Sequence, residues 1–168
     1  MTLAEALKTA IELEERVRDV YLSAVEIAGS EEGRRLFDLM AREEQYHVGH
    51  LRQKLAELEK SGEVAADDLR TSLPAGDVIE AEVGKLNAGL SGTVSDAERQ
   101  SLEKALEVEK ETSGFYRSMV ESLPESERAL FARFLEIEEG HLALVQAQLD
   151  QASRTGFWFD MREFNFEG

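Results

Sequence analysis

Two copies of the motif Glu-x-x-His stand out in the sequence, one from Glu44 to His47 and one from Glu138 to His141. Each copy lies within a row of large apolar residues that recurs at steps of three and four, which is the spacing along one face of an α-helix. The motifs should therefore face a protein core, where an unpaired carboxylate is strongly unfavourable. A bound metal cation would remove that conflict. Because the conflict occurs twice at matched positions, metal binding is our leading interpretation.

Two further acidic residues, Glu14 and Glu109, interrupt apolar rows in two other predicted helices. The candidate ligands then comprise four carboxylates and two imidazoles, which balance the charge of two divalent cations when the imidazoles are neutral. Oxygen and imidazole ligands without sulfur favour iron or manganese, and zinc is also compatible. Six side chains shared between two ions leave coordination positions open, which favours reaction with O2 or peroxide over purely structural binding. The complete set is Glu14, Glu44, His47, Glu109, Glu138 and His141.

Four long amphipathic helices are predicted to position these residues. Capping boxes of the form Ser/Thr-x-x-Glu begin the first helix at Thr2 and the third at Ser95, Ser30 can cap the second, and Pro124 suits the first turn of the fourth. Weak periodicity and several glycines over 61–94 predict a long crossover with one short helix at about 76–88. Two helical hairpins joined in this way describe an all-α four-helix bundle over 1–151. The predicted helices cover 2–28, 31–60, 95–122 and 124–151.

The two halves of the chain repeat each other. An offset of 94 residues carries the first Glu-x-x-His motif and its apolar row onto the second. An offset of 95 carries Glu14 onto Glu109 and Tyr21 onto Tyr116. The period is far longer than that of solenoid repeats, so we interpret it as a doubled helical hairpin with pseudo-twofold symmetry.

Composition narrows the class of protein. The net charge is −16, which argues against nucleic acid or an anionic membrane as a partner. There is no cysteine, so disulfides, thiolate metal sites and iron–sulfur centres are excluded within these residues. The amphipathic, acidic first residues are unlike a secretory signal, and no apolar run approaches the roughly 18 residues of a membrane span. We therefore expect a cytoplasmic protein.

At these residues the chain resembles the rubrerythrin-type members of the ferritin-like superfamily, over about 1–151. The resemblance implies a ferritin-like bundle in which the six candidate ligands hold two iron ions. It also implies that Tyr21 and Tyr116 donate hydrogen bonds near the metals, although ordinary core tyrosines are the alternative reading. The chain differs from that family at two points. It lacks the cysteines of a rubredoxin domain, and Thr112 stands where the rubrerythrin peroxidase site has an extra carboxylate, with Val17 at the matching place in the first half.

The leading functional hypothesis is a non-haem di-iron oxidoreductase that reduces hydrogen peroxide or O2 with electrons from a separate donor protein. The alternatives are a ferroxidase or iron-handling protein, and a non-enzymatic bundle that metal only stabilises. The duplicated halves and the long crossover predict a homodimer, in which one hairpin could be exchanged between subunits.

His50, the aromatic tail and the glutamates beside the apolar rows are predicted to have no role in the centre. His50 has no counterpart in the repeat and is interpreted as a flanking or surface histidine. The aromatic tail at 152–168 is expected to pack on its own bundle or on a partner subunit. Acidic residues beside the apolar rows are expected to lie on solvated helix faces. They are Glu12, Glu15, Glu43, Glu107, Glu111 and Glu139.

Overall fold

The computed structural model of the chain describes residues 1–65, 69–71, 73, 75–83 and 90–159. Helices account for most of these residues, and within the described ranges no helix is both long and apolar enough to cross a membrane. In chain order the elements are α1 (Leu3–Ile27), α2 (Glu31–Ser61), α3 (Gly76–Val83), β1 (Leu90–Thr93), α4 (Asp96–Ser122), α5 (Glu125–Thr155) and β2 (Phe157–Phe159).

The ends of the long helices follow local capping chemistry. Thr2 and Ser95 form the predicted capping boxes, and the Ser30 side chain accepts a hydrogen bond from the backbone N–H of Gly33. At the other end, α5 continues to Thr155, beyond the predicted end at residue 151. The helix stops there because the next residue, Gly156, caps it with a φ of 77°, the left-handed conformation that glycine adopts most readily.

The four long helices form two hairpins that pack into one bundle. The short connection between α1 and α2 pairs these two helices, and α4 pairs with α5 in the same way. Packing of α1 on α4 joins the hairpins, while α3 lies against α5. The predicted all-α bundle of four long helices in two hairpins is confirmed.

A layer of polar side chains divides the core into two apolar clusters. Along α1 the lower cluster includes Leu7 and the upper cluster includes Val17, and Glu14 lies between them. On each of the other long helices the candidate ligands also lie between residues of the two clusters, in the reverse chain order on the antiparallel helices α2 and α4. This arrangement encloses the polar layer by apolar packing on both sides.

A pair of strands joins the crossover to the end of the chain. Strands β1 and β2 are antiparallel, with Leu90 opposite Phe159. Trp158 is fully buried, and its ring forms a T-shaped contact with the ring of Phe37 at a centroid distance of 5.9 Å. Residues 160–168, which hold the rest of the aromatic tail, lie outside the described residues, as do 84–89 at the end of the predicted short helix.

Candidate metal centre

All six candidate ligands lie in the polar layer, and none of them is exposed to solvent. Helices α1 and α4 contribute one glutamate each, and α2 and α5 contribute one Glu-x-x-His motif each. Spacing by three residues places the glutamate and the histidine of each motif on the same helix face, one turn apart. Each of the following has an exposed fraction of 0%: Glu14, Glu44, His47, Glu109, Glu138 and His141.

The two motifs meet at the centre of the layer. Potential ligand atoms of Glu44, His47, Glu138 and His141 all lie within 4.8 Å of one another. The Nδ1 atom of His141 is 2.7 Å from Glu44 Oε1, and the Nδ1 atom of His47 is 3.1 Å from Glu44 Oε2 and 3.2 Å from Glu138 Oε1. The imidazole rings stack almost in parallel, with centroids 5.4 Å apart and planes at 6°. Both histidines therefore direct Nδ1 toward the same carboxylates.

The remaining two glutamates flank this group and are held by tyrosines from the opposite half of the chain. The Tyr21 hydroxyl on α1 donates to Glu109 Oε1 on α4 at 2.6 Å. The Tyr116 hydroxyl on α4 donates to Glu14 Oε1 on α1, also at 2.6 Å. Because Tyr21 belongs to the upper apolar cluster and Tyr116 to the lower one, the two hydroxyls approach the layer from opposite sides.

Burial and crowding shift the ionisation of the centre toward its protonated forms. Burial raises the pKa of Glu44 and repulsion from Glu14 raises it further, while burial and then Glu138 raise the pKa of Glu109 well above its ordinary value of 4.5. Burial alone would lower the pKa of His47 and His141, but the surrounding carboxylates outweigh it, so each pKa lies well above 6.5. Metal cations would displace these protons on binding.

Several oxygen atoms of the centre have no hydrogen-bond partner among the described residues. They include Oε2 of Glu14, Oε2 of Glu109 and Oε2 of Glu138. Buried carboxylate oxygens are normally hydrogen-bonded, paired with a cation or bound to metal. Carboxylates, two imidazoles and free oxygen acceptors in one enclosed layer are a donor set that fits iron or manganese.

The expectation that Glu43 is solvated is wrong. Its exposed fraction is 8%, because Thr71 of the crossover lies over it and donates a hydrogen bond to Glu43 Oε2 at 2.9 Å. The same Oε2 atom lies 3.8 Å from Nε2 of His47 and 3.8 Å from Nε2 of His141. Helix periodicity alone could not reveal this contact, since it depends on where the crossover passes.

The other neighbouring glutamates lie away from the centre. Glu12, Glu107, Glu111 and Glu139 are exposed as predicted, while Glu15 is half-buried in an ion pair with Arg52. The glutamates at 111 and 139 form surface ion pairs with arginines. None of these carboxylates is part of the buried Glu-His group within the described residues.

Three further positions complete the surroundings of the centre. His50 is half-buried beside the rings of Tyr46 and Phe134, outside the Glu-His group. Thr112 is buried, and its hydroxyl donates to the carbonyl of Val108 in its own helix at 2.9 Å. Its counterpart Val17 is buried in the upper apolar cluster. Neither position supplies a further carboxylate.

Comparison with known proteins agrees with this geometry. The family model described as Rubrerythrin matches residues 5–149, which include all six candidate ligands and both tyrosines. Searches of the curated proteins and of the solved structures each found no match. The match to the family extends over both hairpins and the crossover, and the chain therefore belongs to the rubrerythrin family.

Proposed function

We propose that the chain is a non-haem di-iron oxidoreductase that reduces hydrogen peroxide or O2. The observation that carries the proposal is the fully buried layer of four glutamates and two histidines, in which several carboxylate oxygens accept no hydrogen bond from the described residues. Two iron ions are the proposed cofactors, and manganese or zinc are the alternatives that metal analysis would distinguish. The residues that would hold them are Glu14, Glu44, His47, Glu109, Glu138 and His141.

When bound, iron would supply a redox couple and open coordination positions for the oxidant. Reduction of hydrogen peroxide consumes two electrons and two protons and yields two water molecules, whereas complete reduction of O2 to two water molecules consumes four electrons and four protons. The 168 residues contain no cysteine with which to build a rubredoxin-type relay. We therefore propose a separate electron-donor protein as the source of the electrons.

The chain itself would orient the ligands and limit water access. Tyr21 and Tyr116 each hold one oxygen of a flanking glutamate, which leaves the second oxygen of that carboxylate available. Burial raises the pKa of both phenols well above 10.0, so they keep their protons and continue to donate. The apolar clusters on either side of the layer would restrict the centre to small reactants such as peroxide and O2.

A ferroxidase or iron-handling role is the second candidate. The observation that favours it is Thr112, whose hydroxyl is bonded to its own helix and adds no carboxylate to the six candidate ligands. The rubrerythrin peroxidase site has a carboxylate at that position, so this set is closer to the plain ferritin-like site. Iron oxidation by O2, followed by release of the ferric product, would be the expected chemistry of that role.

The deciding experiment is metal analysis of protein purified without air, followed by rapid mixing of the reduced, iron-loaded protein with hydrogen peroxide and, separately, with O2. Faster oxidation by peroxide supports a peroxidase. Faster oxidation by O2 with formation of a ferric mineral supports the ferroxidase. A fully iron-loaded protein that reacts with neither would overturn both proposals and favour a bundle that metal only stabilises.

Variants of neighbouring glutamates test the ligand assignment. Glu44→Ala and Glu138→Ala should lose metal and activity, because each removes a fully buried carboxylate at the centre of the group. Glu139→Ala is the matched control, since its side chain is exposed and pairs with Arg117 on the surface. Equal losses from Glu138→Ala and Glu139→Ala would contradict the assignment.

A homodimer is also proposed, on the basis of the duplicated halves and the long crossover. Hairpin exchange is not needed to complete the group. Glu44, His47, Glu138 and His141 of one chain already meet in its own bundle, and Glu14 and Glu109 lie 3.7 and 3.8 Å from Nδ1 of His47 and His141, respectively. Light scattering at several concentrations tests this proposal, and a monodisperse monomer at high concentration would refute it.

A further inference from the structure

We propose that Glu43 is a positioning residue shared by both histidines of the centre. Its carboxylate would accept hydrogen bonds from both Nε2–H groups and thereby hold both Nδ1 atoms toward the metal ions. The inference rests on the proposed function, because it takes the six buried side chains as metal ligands. It adds to that function a seventh residue, which touches no metal and acts through the two imidazoles.

The geometry singles out one oxygen atom. Oε2 of Glu43 lies 3.8 Å from Nε2 of His47 and 3.8 Å from Nε2 of His141. Both Nε2 atoms are buried and have no hydrogen-bond partner among the described residues. The near-parallel stacking of the rings places the two Nε2 atoms on the same side, opposite the carboxylates that face Nδ1. Closing by roughly 0.9 Å would bring this oxygen to the usual hydrogen-bond distance of about 2.9 Å.

The chemistry of imidazole explains why such an acceptor is needed. A neutral imidazole carries one N–H, so ligation of metal through Nδ1 requires the proton to sit on Nε2. A buried N–H without an acceptor is unfavourable. Metal-binding histidines almost always donate this second N–H to a carboxylate, a carbonyl or water. Glu43 supplies the carboxylate on the Nε2 side of both rings.

Glu43 is itself held in place by the crossover. The Thr71 hydroxyl donates to Glu43 Oε2 at 2.9 Å and accepts a hydrogen bond from the backbone N–H of Leu73 at 3.1 Å. The glutamate also directly precedes the candidate ligand Glu44 on α2. The crossover backbone therefore positions Thr71, Thr71 positions Glu43, and Glu43 Oε2 lies 3.8 Å from Nε2 of each imidazole.

Only the first half of the repeat has a carboxylate at this position. The offset that carries Glu44 onto Glu138 carries Glu43 onto Ile137, which is buried and apolar. One carboxylate therefore serves two histidines. It also adds a negative charge beside the centre, and that charge favours the more highly charged, oxidised state of the metals.

Metal binding by Glu43→Gln tests the inference. This variant keeps the shape of the side chain and removes its charge. Glu139→Gln is the matched control, since Glu139 is also adjacent to a candidate ligand but is exposed. Calorimetry with zinc without air should show that Glu43→Gln weakens metal affinity about 10- to 100-fold. The control should stay within about twofold of the unsubstituted protein, where surface substitutions usually remain.

Nitrogen-15 NMR of the zinc-loaded protein supplies a readout that a merely structural role would not change. In Glu43→Gln both Nε2–H resonances should shift or be lost to exchange with water, and Glu43→Asp should restore them in part. Thr71→Val should produce a smaller change in the same two resonances, and it provides a test if Glu43→Gln does not fold. Unchanged affinity and unchanged resonances, or an effect on one histidine alone, would overturn the shared role. Failure of the unsubstituted protein to bind two metal ions would instead refute the proposed function.

Discussion

Replacing Tyr21 with phenylalanine removes one hydroxyl from the centre and leaves the ring packing in place. The hydroxyl donates to Glu109 over 2.6 Å, and both side chains are fully buried. The other oxygen of Glu109 accepts no hydrogen bond from the described residues, so the variant deprives a buried carboxyl group of its hydrogen-bond donor. A hydrogen bond contributes about 1 kcal/mol between neutral groups and about 1.5–3 kcal/mol when one group is charged.

We therefore expect Tyr21→Phe to lower the free energy of unfolding of the metal-free protein by about 2 kcal/mol. For a chain of this length that corresponds to a fall in melting temperature of roughly 4–8 °C. Tyr116→Phe should have a similar effect, because its hydroxyl holds Glu14 in the same way at 2.6 Å. Denaturant unfolding and calorimetry without metal give the two quantities directly.

Tyr46→Phe is the control for both variants. Tyr46 has an exposed fraction of 47% and is adjacent in sequence to His47, but it lies outside the buried group. Its replacement should change the free energy of unfolding by no more than about 0.5 kcal/mol, as surface substitutions usually do. If Tyr21→Phe and Tyr116→Phe were as mild as Tyr46→Phe, the reasoning that these hydroxyls stabilise the buried carboxyl groups would be refuted.

Three further outcomes follow from the structure. In the metal-free protein, folding raises the pKa of two carboxyl groups and of both imidazoles, so the folded state binds protons more tightly than the unfolded chain. The melting temperature should therefore fall as pH rises from 4.5 through 6.5 and above. A melting temperature that rises over this range would contradict the reasoning. Manganese(II) at one hundred times its Kd should raise the free energy of unfolding by about 2.7 kcal/mol per site, and calorimetry that finds no shift would count against the centre. Trp158→Ala should cost about 3–5 kcal/mol in denaturant unfolding because the indole is fully buried against Phe37, whereas Phe157→Ala, with an exposed fraction of 41%, should cost far less.

The bundle could be predicted because its signals are local. Each long helix carries its own apolar row and its own cap, such as the box formed by Ser95 and Glu98. The positions where Glu14 and Glu109 interrupt those rows are visible for the same reason, and all the interruptions lie at one level of the bundle. Grouping the polar residues therefore required only the phase of each helix and the repeat between the halves.

Features that depend on contacts between distant segments could not be predicted. Strands β1 and β2 are short, and each becomes a strand only because the other lies beside it. Glu43 illustrates the same limit within a helix. On the helical wheel of α2, Glu43 lies between the apolar row and the solvent-facing side. Whether a residue at such a position is solvated depends on which other segment covers it. Thr71, 28 residues further along, decides the outcome.

The repeated hairpins constrain how much negative charge the centre can hold. Two identical copies of the first hairpin, related by a twofold axis, would bring two equivalents of Glu43 to the imidazoles. Two copies of the second hairpin would bring none, because Ile137 occupies that position. Two identical hairpins can therefore place only zero or two such carboxylates on the Nε2 side. A single carboxylate there requires one chain whose two hairpins differ in sequence. Joining two unlike halves allows the charge beside the centre to change by a single unit, which a symmetric pair of hairpins can change only by two.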